Sequence, residues 1–157
     1  MALGLDETDV RLLTELQVDA DRPNVELARL VGLSPAATLN RVRRLKESGV
    51  IRRIGARLDS AGAGFPLQVY VEVTLARHDD TANRRFEETV RALPQVIGAD
   101  WVTGETDAML LVVARDVAEL QQVLVRLSTR GGGQRIITLL RLQELKPASP
   151  LPLRASK

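Results

Sequence analysis

A chain of 157 residues with 22 Lys and Arg against 20 Asp and Glu, a net charge of +2, is long enough for one ordinary domain or two small ones. It has no cysteine, which excludes disulfides and thiolate zinc sites, and its 3% aromatic content argues against a stacking surface for single-stranded nucleic acid. No apolar run reaches membrane-spanning length and the N-terminus lacks a signal-peptide pattern, so a soluble, cytoplasmic protein with no membrane partner is expected.

Asp6 is placed to cap a first helix, along which Val10, Leu13 and Leu16 step down one side. Val25–Val31 reads as a second helix, with Leu27, Leu30 and Val31 at i, i+3 and i+4. Gly32 suits the left-handed end of that helix. Ser34 is a good N-cap for a third, with Pro35 at the first helical position, where a missing N–H costs nothing. Helix, tight glycine turn, helix is the helix-turn-helix layout.

The third helix, Ser34–Glu47, is the most informative segment. At 100° per residue Thr38, Leu39, Val42 and Leu45 share an inward face. Ala37, Asn40, Arg41 and Arg44 then fall on the outward face, flanked by Arg43 and Lys46, with Ser34, Pro35 and Ala36 at the leading end. Arg and Asn make bidentate contacts to guanine and adenine edges in the major groove, and small Ala side chains let the backbone approach. Charge is unevenly spread: residues 1–33 hold three Arg against seven acids, whereas residues 34–57 hold seven Lys and Arg against Glu47 alone. Such a field suits docking on the phosphates of double-stranded DNA. Val50–Leu58 then reads as an extended wing, with Arg52 and Arg53 reaching the DNA backbone, and the small residues of 59–66 as a flexible linker.

Val69, Val71, Val73 and Leu75 alternate with polar neighbours, the period of a half-buried strand. Phe86, Val90 and Leu93 mark a helix, Val96–Thr103 a strand, Gly104–Asp107 a polar turn, and the apolar run Ala108–Ala114 a central strand. Val117, Leu120, Leu124 and Leu127 mark another helix, ended by Gly131-Gly132-Gly133, and Ile136–Leu145 a last strand. The order βαββαβ is ferredoxin-like, with helices on one sheet face only. The bare face, to which Tyr70 and Trp101 are assigned, calls for a symmetric dimer of sheets. The fold class is therefore α+β: an N-terminal winged helix-turn-helix (1–58), a linker (59–66), a βαββαβ domain dimerising through its sheet (67–147), and a flexible tail (148–157).

With LDETDVRLLTELQVDADR, VELARLVGLSPAATLNRVRRLKESGVIRRIGARLD, the TGETDAML turn and the closing LQELK in order, the chain resembles the Lrp/AsnC family of feast/famine transcription regulators from about Leu5 to Lys146. The resemblance implies dimers that assemble into tetramers or octamers and a small-molecule effector, typically an amino acid, with no cofactor. It maps an effector pocket to Thr103, Gly104, Glu105, Thr106 and Asp107, with Thr138 from the last strand. Gly104 would expose backbone N–H groups to an α-carboxylate, and Glu105 or Asp107 would accept from an α-ammonium. The chain departs from the family pattern at Gly131-Gly132-Gly133, Ile136 and Ala108, and Pro23 replaces the usual capping Ser, leaving Asn24 to cap the second helix one residue later. Two other classes compete with effector-gated, sequence-specific regulation. One is a ligand-independent architectural DNA-binding protein. The other is a siroheme decarboxylase-like enzyme, which resembles the family but would need more than the single His78, in a polar loop, as its acid.

Overall fold

The computed structural model describes residues 4–155. The outermost ends of the expected first domain and tail, residues 1–3 and 156–157, lie outside the described residues. The chain divides into two compact units, one containing residues up to Arg57 together with the segment from Lys146 onward, the other Leu58–Leu145.

The first unit holds α1 (Glu7–Val18), α2 (Asn24–Val31) and α3 (Pro35–Glu47). Asp6 caps α1 through a reciprocal pair with Asp9: Asp9 N–H donates to Asp6 Oδ1 (2.7 Å), and Asp6 N–H to Asp9 Oδ2 (3.3 Å). This is a capping box built with Asp where Glu is usual. Leu12, Leu27 and Val31 form the core with Leu16, Leu33 and Val42 around them, and Leu45 is fully buried. Each such side chain contributes about 1.5–3 kcal/mol on burial. Gly32 takes φ +74°, ending α2, so that Ser34 can cap α3 through Ala37 N–H (3.2 Å). The expected cap at Asn24 is not made. α2 begins at Asn24 with no side-chain cap, and the Asn24 amide instead donates to Pro35 O (2.9 Å), tying the start of α2 to the start of α3.

Two further expectations are corrected in this unit. Residues 52–58 carry no strand, so there is no β-wing here; the stretch is extended in sequence character but has no ladder partner. The final segment is not free either: Leu151 exchanges hydrogen bonds with the Gln17 side chain.

The second unit opens with a compact turn where a flexible linker is expected. Asp59 accepts from Gly62 N–H through its side chain (2.5 Å) and from Ala63 N–H through its carbonyl (2.9 Å), and Phe65 N–H closes onto Ser60 O (2.8 Å). Then follow β1 (Leu67–Leu75), α4 (Asp80–Arg91), β2 (Val96–Trp101), β3 (Ala108–Ala114), α5 (Val117–Thr129) and β4 (Gly133–Leu140). The antiparallel sheet has the order β2-β3-β1-β4 expected of a ferredoxin-like arrangement. One face, with Val69, Val71, Val73, Leu75, Leu110 and Val112, packs on Phe86 of α4, Leu93 just beyond it, and Val123 and Leu127 of α5. The last strand starts three residues before Ile136 and stops five before Leu145. Its partner β1 pairs Val69 with Leu140, and only Arg141 N–H to Gln68 O (3.0 Å) extends the ladder further.

On the open face the register aligns Leu139, Tyr70 and Leu111 across three strands, with Ile137 and Met109 in the next row. Tyr70 belongs there, at 40% exposure. Trp101 does not. It pairs with buried Ala108 on the helix side, its ring 5.3 Å from Phe86 and its indole N–H donating to Glu87 (3.3 Å).

Candidate functional site

The third helix is rotated from the phase that hydrophobic periodicity assigns to it. Thr38 and Leu45 are fully buried and Val42 half-buried, as expected, but Leu39 is 49% exposed. The cause is Asp9, a carboxylate only 1% exposed on the buried side of α1. A buried carboxylate needs charged partners, and α3 supplies two. Arg44 Nη2 donates to Asp9 Oδ2 (2.5 Å), and Arg41 Nη1 donates to both Asp9 Oδ1 (3.0 Å) and Asp6 Oδ2 (2.6 Å). The Arg41 hydrogen bond, assisted by Asp9 N–H, holds the Asp6 carboxyl below its ordinary pKa, and Asp6 and then Asp9 raise that of Arg41.

Arg41 and Arg44, both assigned to the outward face, are therefore turned toward α1. Arg41 is occupied by two carboxylates; Arg44 keeps half of its side-chain surface exposed beside one. The exposed face of α3 runs instead through Ala36, Leu39, Asn40 and Arg43, with Ser34 and Pro35 at its leading end and Lys46 at its side. The Asn40 and Arg43 side chains make no hydrogen bond or ion pair among the described residues. Ala37 lies half-buried at the edge. Leu39 is the residue that sequence reasoning missed. The signal was available: Asp9 has the helical spacing of the α1 core residues Leu12 and Leu13, and demands two cations from the neighbouring helix. Arg52 and Arg53 are exposed on the ladderless stretch after α3.

In the second unit the turn after β2 is stitched to β1. Asp107 N–H donates to Val73 O (3.0 Å), Asp107 Oδ2 accepts from Leu75 N–H (2.8 Å), and Thr106 Oγ1 donates to Val73 O (3.0 Å). The other Asp107 oxygen lies 3.6 Å from His78 Nδ1. Gly104, at φ +124°, makes the reversal that a side chain would strain. Of the six residues expected in an effector pocket, Glu105 and Thr106 line a cleft of about 180 Å³ with Glu72, Thr74, Arg135 and Ile137. Thr103 and Gly104 sit on the exposed turn and do not line it, while Asp107 is engaged with β1. Thr138 is not brought to it: it pairs with Val71, on the opposite sheet face from Ile137. Arg135 was missed because the last strand was expected to begin after it. None of Glu72, Glu105 and Arg135 has an ion-pair partner among the described residues. No helix among those residues is long and apolar enough to cross a membrane.

Residues 5–46 match the AsnC-type helix-turn-helix domain, and residues 68–151 match the Lrp/AsnC ligand binding domain. The chain belongs to the Lrp/AsnC family. Among its relatives are the HTH-type transcriptional regulator AldR of Mycolicibacterium smegmatis, 37% identical over 96% of this chain and 88% of that one. The leucine-responsive regulatory protein of Rhizobium meliloti is 36% identical over 92% and 93%. A transcriptional regulator of Neisseria meningitidis solved with L-Met superposes with a TM-score of 0.87 at 33% identity, covering 94% and 96% of the two chains. The Lrp/AsnC assignment makes this chain a transcriptional regulator with a DNA-binding helix-turn-helix and a ligand-binding domain, and it accounts for the α3 surface and the βαββαβ unit together.

Proposed function

We propose that this regulator reads DNA with the Ala36, Leu39, Asn40 and Arg43 face of α3, its occupancy being tuned by an amino acid bound in the second unit. The observation that carries the reading is the Asp9 lock, which commits Arg41 and Arg44 to holding α3 and leaves Asn40 and Arg43 unengaged on its outer face. Asn40 and Arg43 suit adenine and guanine edges, and the exposed Leu39 suits a thymine methyl. Ser34, Pro35 and Ala36 allow close approach at the helix start. Lys46, Arg52 and Arg53 serve phosphates. Two copies joined through the Leu139–Tyr70–Leu111 stripe would present half-sites about 34 Å, or a multiple, apart. Nothing in this scheme calls for catalysis, and its setting is the cytoplasm, where DNA is.

For the effector, Arg135 is the cation for an α-carboxylate, and Glu72 and Glu105 are the acceptors for an α-ammonium, in the cleft beside the turn. Two solved relatives, from Neisseria meningitidis and Mycobacterium tuberculosis, hold L-methionine, which supports an amino acid as the class. A coupling of about 1–3 kcal/mol between the sites suffices for a 5–150-fold change in affinity. Fluorescence anisotropy on DNA from upstream of the protein's own gene, against a scrambled duplex, tests both parts. Preference for the upstream duplex that weakens by about 1–3 kcal/mol in Arg43→Ala, with a shift on adding amino acids that Arg135→Ala abolishes, is the expected result. Equal, salt-sensitive binding to both duplexes would favour an architectural role instead.

A further inference from the structure

The first unit carries an apolar groove that neither DNA nor effector binding explains. It has a volume of about 400 Å³ and is lined by Leu13, Leu16 and Ala20 of α1 and the turn after it, by Val50, Ile51 and Ile54 after α3, and by Gln17, Arg52 and Arg53 at its rim. Leu151 and Leu153 complete its wall. We propose that the segment Pro150-Leu151-Pro152-Leu153 is a built-in ligand of this groove, a strap within one chain that fastens the stretch bearing Arg52 and Arg53.

Three observations carry this. The first is backbone recognition: the Gln17 amide reads both polar groups of one residue, its Oε1 accepting from Leu151 N–H (2.6 Å) and its Nε2 donating to Leu151 O (3.4 Å). The second is that every N–H donor of the segment is used. Prolines 150 and 152 have no N–H, and the remaining amide, Leu153 N–H, donates to Leu151 O (2.9 Å) across Pro152, a three-residue turn. A Pro-Leu-Pro-Leu stretch is already restricted before it docks, so ordering it costs little. The third is complementarity of character: Leu153 is half-buried on a groove whose other walls, Val50 and Ile54, are apolar and still partly open to water with the segment in place.

The consequence concerns residues 52–54, which have no strand partner to position them. With the segment closing one wall of the groove, Ile51 and Ile54 are held and Arg52 and Arg53 are presented from a fixed backbone. With the segment released, that stretch loses its fastening. The chain leaves the second unit at Leu145 and returns to the first at Lys146, a second covalent connection besides the one near Leu58, and the strap lies a few residues beyond that return.

The test uses the full chain and two variants, Gln17→Ala and the double change Leu151→Asp/Leu153→Asp. Hydrogen exchange at Leu151 and Leu153 should be slow in the parent and at least about fivefold faster in Gln17→Ala, where a helix-favouring alanine leaves α1 intact. A fluorescein-labelled peptide of residues 147–154 should bind the double variant and be excluded from the parent by at least about tenfold, because the tethered segment holds the groove at high effective concentration. Parent-like exchange in Gln17→Ala, or equal peptide binding to parent and double variant, overturns the strap. Protection of Leu151 that falls on dilution overturns the within-chain assignment in favour of a second copy's segment. The link to Arg52 and Arg53 rests on the DNA-binding reading and has its own arm: the double variant should bind DNA at least about threefold more weakly at physiological salt, and unchanged affinity refutes the link. Exchange and peptide binding are measured without DNA, so they decide the strap even if the DNA-binding reading fails.

Discussion

The Asp9 lock makes a prediction that separates holding a helix from reading DNA with it. Asp9→Ala removes two ionic hydrogen bonds and half of the α1 capping box at once. Hydrogen bonds to charged groups contribute about 1.5–3 kcal/mol each. Two features discount the sum: Arg41 keeps Asp6, and Arg44, half exposed, regains water. The expected cost is about 2–4 kcal/mol for Asp9→Ala, and about 1–2 kcal/mol for Arg44→Ala, because Asp9 retains Arg41. In a unit of this size each kcal/mol moves the midpoint by about 4–8 °C. The two changes must also couple, with an interaction energy of about 1 kcal/mol or more in a double-mutant cycle. Unfolding is followed by far-UV circular dichroism, resolving the first unit from the second, whose transition Trp101 fluorescence reports and which should not move. Additivity within about 0.5 kcal/mol, with specific DNA affinity lost in Arg44→Ala, would place Arg44 in the groove and refute the lock.

Other parts of the fold are as exposed to test. Glu119 accepts from the Arg115 side chain and backbone N–H and from Gln95, and is held at a pKa of about 2 against an ordinary 4.5, with Arg115 the main cause. A lowered carboxylate pKa stabilises fully above the unfolded value and is lost as pH falls through the folded one. The stability gap between parent and Glu119→Gln, read by Trp101 fluorescence in urea, should therefore hold above pH 4.5 and close toward pH 2; a gap independent of pH would contradict it. At Gly131 an added Cβ would lie 2.5 Å from Leu127 O and 3.2 Å from a Phe86 ring carbon, so Gly131→Ala should cost more than about 2 kcal/mol in the same assay. Tyr70→Asp places a charge in the Leu139–Leu111 stripe, and if the proposed sheet-to-sheet dimer forms, sedimentation should show the parent as a dimer and the variant as a folded monomer; a dimeric variant would move the interface elsewhere.

The architecture was legible because each element announces itself locally. Ser34-Pro35 starts α3, Gly32 stops α2, and the alternation of Val69 to Leu75 marks a strand whatever surrounds it. What sequence could not supply was the rotation of one element against another. Hydrophobicity assigns Leu39 to the core and arginine to the surface, and for an isolated amphipathic helix that is sound. A single buried acid on a different helix changes this, drawing Arg41 and Arg44 toward α1 while Leu39 turns outward, because satisfying Asp9 is worth more than hiding one leucine. Trp101 was misassigned for a related reason: period-2 alternation separates two faces but does not say which one the helices cover, and Phe86 decides that from well outside the strand.

The effector turn shows the same limit from the other side. Glycine and acids in sequence are equally good for holding a ligand and for holding a turn, and here Asp107 and Thr106 spend their polar atoms on β1. That leaves the turn's polar atoms committed to the fold, and the groups without an ion-pair partner in the cleft beside it are Glu72, Glu105 and Arg135, the ones proposed above for the ligand. On the DNA side, Arg41 and Arg44 hold the helix while Asn40 and Arg43 remain available. In both units the residues best placed to bind something else are the ones the fold does not need. A charged side chain already committed to a buried partner would have to give that partner up before it could recognise a ligand, and the cost would be subtracted from its affinity.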